Sequence, residues 1–145
     1  MRRLLLALLL VAAAPAGAAS RYNWDDLAAE FCRLTLAGDL PALRPLLTAS
    51  LAADIQAAAA NPNLPPARVL FQTYTNEVPL CEVATRNAAV VEIRRGRPGG
   101  AAPSWTEYLV IAPEPDGGTR IDDVLFATSR SDTLRARLAY YAATR

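Results

Sequence analysis

The sequence predicts an α+β domain: N-terminal helices packed on a curved antiparallel sheet of about four strands, with a short C-terminal helix at the end. Three observations carry this expectation. In the first half, apolar residues recur at three- and four-residue steps, the period of a half-buried helix. In the second half the period falls to two, in four short runs divided by turn residues. Sequential strands with short turns form an antiparallel meander, and helices gathered before it mark the α+β class.

The chain opens with Arg2 and Arg3, an apolar run from Leu4 to Ala14, Pro15, and small residues up to Ala19. That order is the order of a secretory signal peptide, with cleavage expected after Ala18 or Ala19. The run is shorter than the roughly 20 apolar residues that cross a bilayer, so no membrane span is expected after cleavage. A retained N-terminal anchor is the competing reading. Residues 20–145 then form a single domain, long enough to bury a core.

Tyr22 to Ala37 reads as an amphipathic helix with Trp24, Leu27, Phe31 and Leu34 on one stripe. Asn23 suits its cap, and Asp25 and Asp26 suit the positive end of its dipole. Cys32 lies beside the stripe, in a row with Trp24 and Ala28, placed to face another element. Gly38 suits the left-handed residue that ends this helix, and Asp39 the cap of the next. A short helix over 40–47 follows, with a break expected at Pro45. Thr48 or Ser50 starts a third helix, which carries Leu51 and Ile55 and ends in Ala57 to Ala60. The stretch from Asn61 to Pro66 is a loop. Val69 to Thr75 fits either a short strand or a helical turn. Strands are expected over 81–84 and 88–95, joined at Arg86-Asn87, then over 105–112 and 120–127. Ser129 or Ser131 caps a last helix over 132–142, with Leu134 and Leu138 on one face.

Composition narrows the chemistry. The chain has fifteen basic and fourteen acidic residues, every basic one is Arg, and there is no His. Loss of Arg2 and Arg3 leaves a near-neutral domain with no electrostatic reason to seek nucleic acid. The cluster Arg94, Arg95 and Arg97 beside Pro98-Gly99-Gly100 reads as a solvated turn at a strand end. Without His there are no Ser-His or Cys-His nucleophilic pairs, and the commonest zinc ligand is missing. Without Lys there is no Schiff-base chemistry. The acidic residues are scattered, with no calcium-loop spacing. No metal and no cofactor are expected.

The only two cysteines are Cys32 and Cys81. In an oxidising compartment such a pair suggests a disulfide, with two unrelated buried thiols as the alternative. Neither follows the expected cleavage site directly, as a lipoprotein cysteine does.

Three local features resemble the nuclear transport factor 2-like superfamily. They are a long opening helix ended by Gly38-Asp39-Leu40, the stretch Leu43-Arg44-Pro45-Leu46-Leu47-Thr48, and Arg120-Ile121-Asp122-Asp123-Val124-Leu125-Phe126 followed by Leu134-Arg135-Ala136-Arg137-Leu138. The resemblance covers most of Tyr22 to Tyr141 and is nearest to exported bacterial members of unknown function. It implies a cone-shaped sheet with a helix across its mouth and a homodimer through the open sheet face. The superfamily holds both enzymes and binding domains, so membership names no activity.

A cone of this kind leaves an apolar pocket, and Trp24, Phe31, Trp105, Tyr108 and Phe126 are its candidate lining. The plainer reading makes all five core residues. Asp122 and Asp123 are the notable carboxylates, because strand neighbours point to opposite faces and one should enter the concave side unless a bulge intervenes. An ion pair with Arg94 or Arg95 is the structural alternative. As a catalytic base, Asp123 requires a Tyr donor, and Tyr108 and Tyr74 are the candidates. The leading expectation is an exported, periplasmic or secreted, non-catalytic domain that binds a small apolar ligand or a protein partner in the cell envelope. A small isomerase or hydro-lyase using a carboxylate in the cone, and an inhibitory or structural interaction protein, are the alternatives.

Overall fold

The first helix begins where the Asn23 side chain accepts hydrogen bonds from the amides of Asp25 (2.8 Å) and Asp26 (3.0 Å). A computed structural model describes residues 23–73, 78–87 and 89–144. The signal-like residues 1–19, Tyr22, Tyr74, Thr75 and Ala88 lie outside the described residues. Helix α1 spans Trp24–Ala37 and buries Leu27, Phe31, Cys32 and Leu34. It ends at Gly38, whose φ of 73° is left-handed. The amide of Asp39 closes the turn by donating to the carbonyl of Leu34 (3.0 Å). A Cβ at position 38 would also press on the Arg68 side chain at 3.2 Å.

Pro45 divides the next segment as its chemistry requires. Helix α2, Leu40–Leu43, gives way to a 3₁₀ turn over Arg44–Leu46. Thr48, not Ser50, caps helix α3, Ala49–Ala58. Of the ambiguous stretch from Val69 to Thr75, Val69 and Leu70 fall in a helical turn, α4, Ala67–Leu70, and residues 71–73 follow it outside helix and strand.

Four strands follow: β1 Leu80–Arg86, β2 Val90–Gly96, β3 Trp105–Pro113 and β4 Thr119–Leu125. They pair in sequence order and antiparallel throughout, so the domain is α+β with a four-strand meander. The inward face carries Val91, Ile93, Leu109, Ile111, Ile121 and Val124, and the helices cover it. Helix α1 packs on β1 and β2. Helix α5, Leu134–Ala143, packs on α3 and β4. Its cap is Thr133, which accepts from the amide of Ala136, not Ser129 or Ser131. The reason is that Asp132, expected inside the helix, is held before it: its carbonyl accepts from the Phe126 amide (3.0 Å).

A disulfide joins Cys32 of α1 to Cys81 of β1, with Cα atoms 5.3 Å apart. No helix among the described residues is long and apolar enough to cross a membrane.

Candidate functional site

Among the described residues, Arg95 and Glu107 are the most deeply buried charges, both fully shielded from solvent. The period of the strands puts them there. On β2 the inward series is Val91, Ile93, Arg95; on β3 it is Trp105, Glu107, Leu109, Ile111. Arg95 pairs in register with Trp105, which makes Glu107 its diagonal neighbour. The Arg95 Nε donates to Glu107 Oε2 at 3.0 Å. Its terminal nitrogens donate to the hydroxyl of Thr35 (3.4 Å each) and to the carbonyl of Phe71 (3.0 Å). Glu107 Oε1 accepts from the Thr73 amide (2.5 Å), the Thr73 hydroxyl (2.8 Å) and the Trp105 indole (2.8 Å). Burial pulls the Arg95 pKa below its ordinary value, against the charge and hydrogen bond of Glu107. The expectation of a solvated turn therefore holds for the exposed Arg94 and Arg97 and fails for Arg95. Alternation turns that residue inward, where a carboxylate of the same phase receives it.

A second arginine binds the same short segment from the other side. Arg137 donates to the carbonyls of Leu70 (3.4 Å), Gln72 (2.6 Å) and Thr73 (2.9 Å). It also grips both oxygens of Asp132 at 2.8 Å, and its guanidinium lies 3.6 Å from the centre of the Phe126 ring. Hydrogen bonds from Arg137, with a further one from Thr128, hold the Asp132 carboxyl below its usual range despite partial burial. Arg95 and Arg137 thus donate to four consecutive carbonyls, from Leu70 at the end of α4 to Thr73 just beyond it.

Asp122 and Asp123 do not pair with Arg94 or Arg95. The β3–β4 register slips between Val110 and Ile111, so Asp122 is an extra residue in a β-bulge. Ile121 and Val124 consequently both face the core, while Asp122 binds Arg135 (2.5 Å) and accepts from the Thr48 hydroxyl (2.9 Å). Arg135 also reaches Asp54 and the hydroxyl of Ser50 on α3. Burial opposes its charge, but Asp122 and Asp54 raise its pKa on balance. Asp123 accepts from the amides of Val124 (2.8 Å) and Arg135 (3.0 Å), the role of a cap on the first turn of α5.

The five aromatic residues occupy different settings. Phe31 is fully buried, edge-on to Phe71 at 5.8 Å and 6.0 Å from the Arg95 guanidinium. Phe126 supports Arg137, Trp105 donates to Glu107, and Trp24 packs on the rim of the core. Tyr108 belongs to the opposite, outward phase of β3 and is 39% exposed. Among the described residues no group of three or more His, Cys, Asp or Glu side chains is placed to hold a metal.

An open groove of about 380 Å³ lies elsewhere, between α4 and α5. Pro65, Val69, Leu70, Ala136 and the stem of Arg137 form it with Tyr140 and Tyr141. The two tyrosine rings meet edge-on at 5.3 Å, and Tyr140 is 63% exposed. The doublet Tyr140-Tyr141 at the end of an amphipathic helix is the signal that points to this groove. Comparison with protein-family models, with curated proteins and with solved structures finds no match for this chain.

Proposed function

We propose that this protein is an exported, non-catalytic domain of nuclear transport factor 2-like type that binds a small apolar or aromatic ligand in the groove between α4 and α5. The observation that carries the reading is the tyrosine pair. Tyr140 presents most of its ring to solvent beside Tyr141, above an apolar floor of Pro65, Val69 and Ala136. A groove of this volume matches the lower range of small-molecule sites, which runs from about 300 to 1,000 Å³. An exposed aromatic ring offers stacking area at little cost in side-chain entropy.

The carboxylates speak against chemistry. Glu107, Asp122, Asp123 and Asp132 each accept hydrogen bonds from an arginine side chain, a backbone amide or both. Those bonds give each of the four a structural role, which supports the non-catalytic reading. Export is supported by the signal-like order of residues 2–19 and by the disulfide, a bond of oxidising compartments.

The test is a fluorescence titration with anilinonaphthalene sulfonate, a small aromatic probe. Tyr140→Ala should weaken binding about tenfold, equivalent to roughly 1.4 kcal/mol, while Tyr108→Ala on the outer sheet face leaves it unchanged. Equal binding by wild type and Tyr140→Ala removes the groove from consideration.

A further inference from the structure

The disulfide and the buried ion pair touch through one residue. Thr35 lies one turn after Cys32 on α1, and its hydroxyl donates to the Cys32 carbonyl (3.1 Å). The same hydroxyl accepts from both terminal nitrogens of Arg95 (3.4 Å each). On the sheet, Cys81 is the register partner of Arg95. The path from Cys32 through Thr35 to Arg95, across the β1–β2 ladder to Cys81 and back through the sulfurs is therefore a closed ring.

We propose that the Cys32–Cys81 bond is an oxidation latch: the domain holds α1 on Arg95, and with it the native core, only once the two thiols have been joined. Arg95 has no exposed surface and prefers water unless all its partners are in place. Glu107 comes from the neighbouring strand, but Thr35 and the Phe71 carbonyl come from segments that must dock on the sheet. The cysteines are 49 positions apart, so docking closes a long loop against chain entropy. With thiols reduced, the buried contacts of Leu27, Phe31 and Leu34 must hold α1 without a covalent tie, against an arginine that gains by leaving. Oxidation removes that alternative.

The chemistry balances with a disulfide oxidant, either a protein or a small-molecule disulfide. The thiolate of Cys32 or Cys81 attacks the oxidant, forms a mixed disulfide and expels one thiolate. The second cysteine thiolate attacks the protein sulfur, closes the Cys32–Cys81 bond and expels the other. Two electrons pass from the cysteines to the oxidant, and their two protons end on the two thiols released. In the finished fold Cys32 is only 3% exposed, which shields its sulfur from thiol reductants.

The test compares amide hydrogen exchange of the full chain, oxidised and then reduced with dithiothreitol under brief denaturation and refolding. In the reduced protein, amides of residues 31–35 and of Arg95 should exchange at least tenfold faster together, or the whole domain should unfold. Unchanged protection at both places, or faster exchange on α1 alone, overturns the proposal. The second arm repeats the comparison in Arg95→Met/Glu107→Gln, which removes the buried charges. Reduction should accelerate exchange less in this variant than in wild type. An equal acceleration assigns the effect of the bond to chain entropy alone and defeats the latch.

Discussion

Arg95 and Glu107 meet at 3.0 Å with neither side chain exposed to water. Charges in such a place are stable only with complete partners. Here the partners are Thr35, Phe71, Thr73 and Trp105, drawn from α1, the end of α4 and β3. The pair is therefore where the helical layer and the sheet are tied by polar contacts inside an apolar core.

Breaking the pair from one side should be severe. Glu107→Leu leaves Arg95 charged and buried, and it leaves the Thr73 amide and Trp105 indole without their acceptor. A loss of about 3–5 kcal/mol is expected, read as a lower urea midpoint. Trp105 fluorescence should change in the native baseline of the variant as well.

Arg137→Lys should destabilise although the charge is kept. An ammonium cannot span Asp132 and three carbonyls in one plane, nor lie flat on Phe126. A loss of about 2 kcal/mol follows from the abandoned acceptors. Thermal unfolding monitored by circular dichroism measures it. Arg33→Lys, in an exposed pair with Glu30, should leave the unfolding midpoint unchanged, since solvent screens that pair.

Acid stability should depend on Asp132. Its folded pKa lies below the ordinary value of 3.8, first because of the hydrogen bonds from Arg137. A depressed carboxyl contributes stability that is fully present above the unfolded pKa and is lost as pH falls through the folded one. Wild type should lose stability from just above pH 4 downward, and Asp132→Asn should show a shallower loss over that window. Urea midpoints at a series of pH values give both slopes.

Asp123→Asn should lower stability modestly, by about 1 kcal/mol, through a weaker cap on α5. Probe binding in the groove should survive it. A loss of binding with unchanged stability contradicts the capping role.

Much of the fold was legible. Asn23 and Gly38 mark the ends of α1 because cap chemistry is local. Pro45 announces the break between α2 and α3 for the same reason. The two-residue period exposes all four strands, and export logic singles out the cysteine pair. The candidate site was less legible. Arg95 and Glu107 stand in the apolar phase of their strands, so alternation alone could have found them; the run of arginines and glycines around Arg95 reads as a solvated turn and hid it. The bulge at Asp122 has no local signature, because one extra residue is visible only against its partner strand. The capture of the Leu70, Gln72 and Thr73 carbonyls by Arg137 joins positions more than sixty residues apart, which no periodicity reports.

The most direct test of a structural role for the buried charges is a double-mutant cycle on Arg95→Met and Glu107→Gln, with urea midpoints and anilinonaphthalene sulfonate binding measured on the same samples. The account predicts that each single change is costly, that the double variant is clearly more stable than the sum of the two losses allows, and that probe binding is retained. Full stability in the double variant together with loss of probe binding would contradict it, because the pair would then serve the ligand and not the fold.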